Sequence, residues 1–93
     1  MINKTILFES MKFRKGKNVT VRFGEKWLYF NPINLDVLCK YSKRFKELTK
    51  QELKYLHDIK LSNRKRLLKE MKLYYSKFNE NSLITVIWFN IDK

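Results

Sequence analysis

Residues 83–91, LITVIWFNI, place apolar side chains on both faces of an extended chain. Leu83, Thr85, Ile87, Phe89 and Ile91 face one way, and Ile84, Val86 and Trp88 the other. A strand that is apolar on both faces is covered on both sides or lies centrally in its sheet. At the end of a 93-residue chain, such a strand has to insert beside strands laid down earlier.

The first third supplies those strands. Thr5, Leu7, Met11 and Phe13 alternate with Ile6, Phe8, Ser10, Lys12 and Arg14, with Glu9 interrupting the apolar row. Lys15-Gly16-Lys17-Asn18 reads as a turn, and Val19, Val21 and Phe23 alternate with Thr20 and Arg22 as a half-buried strand does. Gly24-Glu25 suits a two-residue type II′ hairpin, which wants Gly first. Lys26 to Phe30 makes a third strand, ended by Asn31-Pro32 because Pro cannot donate to a ladder.

The middle reads as helix. Asn34 or Asp36 caps a first helix reaching about Leu48, with Val37, Leu38, Tyr41, Phe45 and Leu48 on one stripe. Thr49-x-x-Glu52 is a capping box that starts a second helix running to about Lys60. Ser62 or Asn63 caps a third, whose buried face carries Leu67, Leu68, Met71, Tyr74, Tyr75 and Phe78. The expectation is one compact α+β domain over residues 1–93, of order βββαααβ. It has a three-stranded antiparallel meander, three helices on one sheet face, and the C-terminal strand joining the sheet.

Charge is distributed as unevenly as hydropathy. The chain carries 21 Lys+Arg against 9 Asp+Glu, a formal net charge of +12. Residues 10–17 hold four cations and no acid, and residues 37–78 hold thirteen cations against four acids. Concentrated positive potential attracts polyanions. The chain has no Ala, two Gly and one Pro, and is rich in Lys, Asn, Ile, Leu, Phe and Tyr, as AT-rich coding DNA of low-GC bacteria and their phages or mobile elements would encode. Codon bias would also favour Glu and Asp, so it does not account for the scarcity of acids.

Catalytic chemistry finds little material. There is no Gly-rich phosphate loop, no paired-Cys metal pattern, and no second His beside His57, so neither a cofactor nor a metal is expected. Cys39, the one cysteine, excludes an intrachain disulfide and fits a reducing compartment. It falls opposite the apolar stripe of its helix and reads as an ordinary small side chain, as His57 reads as a surface or boundary residue. The apolar run in MINKTILFES is too short for a signal peptide, and Leu83 to Phe89 is too short to span a membrane. The expected compartment is the cytoplasm, with no membrane partner.

The cations form three candidate surfaces. Lys12, Arg14, Lys15 and Lys17 flank a Gly turn and project from a hairpin tip. On the first helix Lys43, Lys46 and Lys50 share the outward face, flanked by Lys40 and Arg44. On the third helix Arg64, Lys65, Arg66, Lys69 and Lys72 stand over two turns with Glu70 as the nearby acid. A solvated helix face ordinarily mixes signs for i,i+4 support, and these do not. Sixteen Lys against five Arg favours phosphate contact over base reading. Trp27 and Tyr29, on one face of the third strand, are candidates for stacking on unpaired bases. Leu73 falls off the apolar stripe of the third helix, as a residue at a protein contact would.

These features give a leading expectation of a small, basic, non-enzymatic nucleic-acid-binding protein that grips RNA or DNA backbone with little sequence specificity. A second is a phage or mobile-element inhibitor of a host nucleoprotein machine such as a CRISPR effector, with a host protein as partner. A third is a metal-independent ribonuclease toxin, since RNA brings its own 2′-OH nucleophile.

Overall fold

The computed structural model describes residues 2–8 and 13–92. Among them, five strands and two α-helices follow in the order β1 (Ile2–Lys4), β2 (Gly16–Phe23), β3 (Phe30–Pro32), β4 (Asp36–Arg44), α1 (Lys50–Lys54), α2 (Arg64–Tyr74) and β5 (Leu83–Ile91). Three 3₁₀ turns, at Lys26–Leu28, Phe45–Glu47 and Ile59–Leu61, join them. The strands divide into an antiparallel sheet of order β2-β5-β4 and a two-stranded parallel sheet of β1 and β3.

The doubly apolar segment is the central strand. Val19 and Val21 of β2 stand opposite Trp88 and Val86, while Tyr41 of β4 stands on the other side of Val86. One face of the sheet, carrying Val19, Ile84 and Val86, packs on Phe45, Leu48, Leu53, Leu56, Leu67, Met71 and Phe78 from the helical layer. The other face meets the N-terminal segment, where Phe89 lies 5.9 Å from Phe8 and 5.8 Å from Phe13, ring centre to ring centre. Ile84, Val86, Ile87 and Phe89 are accordingly inaccessible to water.

The class is α+β, but the order βββαααβ is overturned. No meander forms among the described residues, because β2 pairs with β5 instead of with its chain neighbours. Residues 5–8 have no regular structure, and residues 9–12, assigned above to the first strand, lie outside the described residues. Gly24, at φ +84°, does not turn a hairpin. Its amide donates to the Leu83 carbonyl at 2.8 Å and its carbonyl accepts from the Thr85 hydroxyl at 2.7 Å, so the chain stays tied to β5. The third strand of the meander is replaced by the turn Lys26–Leu28 and by β3, which contains Pro32 instead of ending before it. A strand with one neighbour needs no donor on its second side, which is why Pro is tolerated there.

The first helix of the expected three is absent as well. Residues 36–44 form an edge strand that passes a bulge between Val37 and Cys39. The capping box is present: the Thr49 hydroxyl accepts from the Glu52 amide at 3.2 Å and Glu52 Oε1 from the Thr49 amide at 2.7 Å. The helix that it starts stops at Lys54 because the next residues turn to β2. The Val19 amide donates to the Tyr55 carbonyl at 2.8 Å, and the His57 amide to the Val19 carbonyl at 3.0 Å. Asn63 caps α2, accepting from the Lys65 and Arg66 amides.

Candidate nucleic-acid interface

Several of the cations are fastened to the protein itself. Lys43 Nζ lies 2.8 Å from Glu52 Oε1 and also donates to the Glu47 carbonyl at 3.1 Å. Glu52 is 4% exposed. Burial raises its pKa, but hydrogen bonds from Lys43, Tyr41 and the Thr49 amide outweigh that and hold it below the ordinary carboxylate value. Arg14 does not project from a hairpin tip. Its Nη2 donates to the Lys54 and Leu56 carbonyls, both at 2.6 Å, and so closes the C-terminal end of α1. Arg64 reaches back from α2 to the Leu48 carbonyl. Arg44 donates to the Asn81 carbonyl at 2.8 Å, and Lys40 to the carbonyls of Trp27 and Phe30 at 2.9 and 2.6 Å. Because β4 is a strand, Lys43, Lys46 and Lys50 do not share a helix face. Lys46 sits in the 3₁₀ turn after β4, and Lys50 opens α1.

The remaining candidates face solvent. Lys15, Lys17, Lys46, Lys50, Lys65, Arg66, Lys69 and Lys72 are all exposed, whereas Lys12 lies outside the described residues. On α2 the stripe Leu67–Met71 is buried, which turns Lys65, Lys69 and Lys72 outward. The Arg64–Leu48 bond sets the first turn of α2 beside the segment bearing Lys46 and Lys50. At the other end of α1, the Arg14 bonds bring Lys15 and Lys17 toward Lys54. The turn expected at Lys15–Asn18 is instead the start of β2, where Gly16 takes φ +89° and the Asn18 side chain braces the chain by donating to the Arg14 carbonyl at 2.8 Å and the Gly16 carbonyl at 3.1 Å. The Lys43–Glu52 contact is the one ion pair among the described residues.

The stacking candidates separate. Trp27 lies on a 3₁₀ turn, half-buried, with its ring 5.4 Å from Phe30 and the Lys4 ammonium 5.8 Å above it. Tyr29 is 68% exposed. Tyr74 and Tyr75, placed on the buried stripe above, emerge instead at 52% and 38% exposure, and Leu73 is 72% exposed. Cys39 is exposed on β4, not on a helix. His57 is half-buried beside β2, with its ring edge-on to Phe8 at 5.0 Å.

A cavity of about 300 Å³ lies where the N-terminal segment, β2 and α2 meet, lined among others by Phe8, Arg22, His57, Glu70, Tyr74 and Tyr75. Arg22 is absent from the cations that charge clustering singles out. The signal that finds it is the pattern of β5. A central strand apolar on both faces requires cover over the polar face of β2 too, and that puts Arg22 under the cover.

Among the described residues no group of three His, Cys, Asp or Glu is placed to hold a metal ion, and no helix is long and apolar enough to cross a membrane. No family model matches the chain, nor does any curated protein or solved structure.

Proposed function

We propose that this protein is a small non-enzymatic nucleic-acid-binding domain that grips the phosphate backbone. The observation that carries the reading is the state of its cations. Lys15, Lys17, Lys46, Lys50, Lys65, Arg66, Lys69 and Lys72 are exposed, while the single ion pair among the described residues engages Lys43. A surface that tolerates this much like-charge repulsion gains from an anionic partner. The Lys excess supports contact with phosphate as point charges. If about six phosphates are neutralised, log K against log salt should fall with a slope near −5 on duplex DNA and near −4 on a single strand. Fluorescence anisotropy with duplex DNA, single strands and structured RNA measures this. Absence of binding to all three at about 50 mM salt removes the reading.

The 72% exposure of Leu73, between Lys69 and Lys72 on one side and Tyr74 on the other, favours a second reading, in which the basic surface holds a host nucleoprotein assembly. Pull-down from bacterial lysate distinguishes them: one stoichiometric protein partner supports inhibition of such an assembly, and bulk nucleic acid supports the first reading.

A further inference from the structure

The cavity along β2 holds two opposite charges that do not meet. Arg22 and Glu70 both line it, yet they form no ion pair, the Lys43–Glu52 contact being the one among the described residues. The Arg22 guanidinium stacks on Phe8, 4.9 Å from the ring centre, and its Nε is buried with no hydrogen-bond partner. Burial lowers its pKa from the ordinary arginine value, so the site already bears the cost of desolvating the charge. Tyr74 and Tyr75 stand on the α2 side of the cavity. The edge of β2 adds backbone groups. Val19 turns its amide and carbonyl outward to Tyr55 and His57, and strand alternation turns those of Val21 outward too, into the cavity that Val21 lines.

We infer that this cavity receives one unpaired guanine base of a bound strand, with Arg22 on its acceptor edge, Glu70 on its donor edge, and Phe8, Tyr74 and Tyr75 as aromatic walls. The inference rests on the nucleic-acid reading above and adds a base preference to it. Guanine carries the acceptors O6 and N7, which an arginine fork matches, together with the N1–H and N2–H donors that a carboxylate accepts. Adenine has an amino donor in place of O6 and would set it against Arg22. Pyrimidines lack N7 and fill less of the space. The volume lies at the small end of the range for ligand sites, about 300–1,000 Å³, and suits a single base. A peptide strand added to β2 would need a run of free edge, and residues 55–57 already occupy it at Val19.

The experiment has a phosphate-free arm and an oligonucleotide arm. Guanosine, adenosine and uridine are titrated into the wild-type protein while the resonances of Met71, Tyr74 and Tyr75 are followed by NMR. Saturable shifts with guanosine alone are expected; equal responses to all three, or none, overturn the inference. In the second arm, an oligouridine with one central guanosine should bind about tenfold more tightly than oligouridine itself, about 1.4 kcal/mol. Arg22→Lys, which loses the fork, and Glu70→Gln, which keeps one acceptor and loses the other, should each cut that difference severalfold and leave oligouridine affinity within about twofold. If oligouridine binds and the guanosine adds nothing, the base pocket is refuted and backbone binding stands. If guanosine binds but neither strand does, the nucleic-acid reading falls and the pocket stands as a nucleoside site.

Discussion

The Tyr41 hydroxyl donates a hydrogen bond to Glu52 Oε2 at 2.5 Å, tying the edge strand β4 to the first turn of α1. Trp88 Nε1 of the central strand donates to the same Tyr41 oxygen at 2.9 Å, so a single chain of contacts crosses from β5 through β4 to the helical layer. Glu52 collects three donors in all, from Tyr41, Lys43 and the Thr49 amide. Glu52→Ala leaves all three without their acceptor and removes half of the capping box. The expected loss is about 3 kcal/mol in urea unfolding, since breaking a buried, hydrogen-bonded charge pair costs about 3–5 kcal/mol and Lys43 is partly solvated. Glu52→Gln should cost less, because the amide oxygen can still accept.

The same pair sets the pH limits of stability. The folded pKa of Glu52 lies below its ordinary 4.5, so its contribution is fully present above that value and is lost as pH falls through the folded value. Tyr41 is pushed up from 10.0 to about 12, first by burial and then by the Glu52 hydrogen bond. Its contribution is fully present below 10.0 and disappears as pH rises through about 12. Thermal unfolding should therefore show a plateau with an acid limb and an alkaline limb. Tyrosinate absorbance should show a transition near pH 12 that Tyr41→Phe eliminates.

Structural and ligand-facing cations should separate cleanly on mutation. Changing Lys65, Lys69 and Lys72 together to Gln touches only exposed positions, and each should alter stability by no more than about 0.5 kcal/mol. If each contacts one phosphate, the salt slope on a single strand should become shallower by about 2. Lys43→Gln should behave the opposite way. It weakens the partner of a buried carboxylate, costs about 2 kcal/mol of stability, and leaves the slope unaltered. A slope that responds to Lys43 and not to the α2 lysines would reverse the assignment.

What the sequence makes legible here is local, and what it conceals is tertiary. The Thr49–Glu52 box and the Asn63 cap are hydrogen-bonding signatures complete within four residues, and both form. The apolar faces of residues 83–91 state their need for cover whatever provides it. Residues 36–48 mislead because Val37, Leu38, Tyr41, Phe45 and Leu48 fall at helical spacing by a combination of two irregularities. The bulge at Leu38 shifts the alternation of β4, and the 3₁₀ turn at Phe45–Glu47 ends it. Val, Cys and Tyr fit a pleated surface, and pairing with β5 decides the matter. The lysines of this stretch then read as one outward helix face for an anionic partner, although Lys40 and Lys43 hold carbonyls and a carboxylate inside the fold. Pairings as remote as Phe23 with Ile84 leave no local trace.

Lys40 offers a test of how the smaller sheet is held. Its ammonium, on a residue opposite Ile87 of β5, reaches the carbonyls of Trp27 and Phe30 and so links the central sheet to the turn and strand that carry β1. Partial burial lowers its pKa from the ordinary lysine value. Lys40→Met keeps most of the side-chain volume but leaves both carbonyls without their charged donor. Hydrogen bonds to charged groups are worth about 1.5–3 kcal/mol, so a comparable loss of anchoring is expected in this lobe. The amides that report it are Ile2, bonded to the Tyr29 carbonyl at 3.3 Å, and Ile33, bonded to the Lys4 carbonyl at 3.1 Å. Their hydrogen exchange should accelerate by about ten- to a hundredfold, while the amide of Val86 in the central strand should slow or quicken far less. Uniform acceleration across both sheets would instead show that the two unfold as one unit and that Lys40 supports the whole fold.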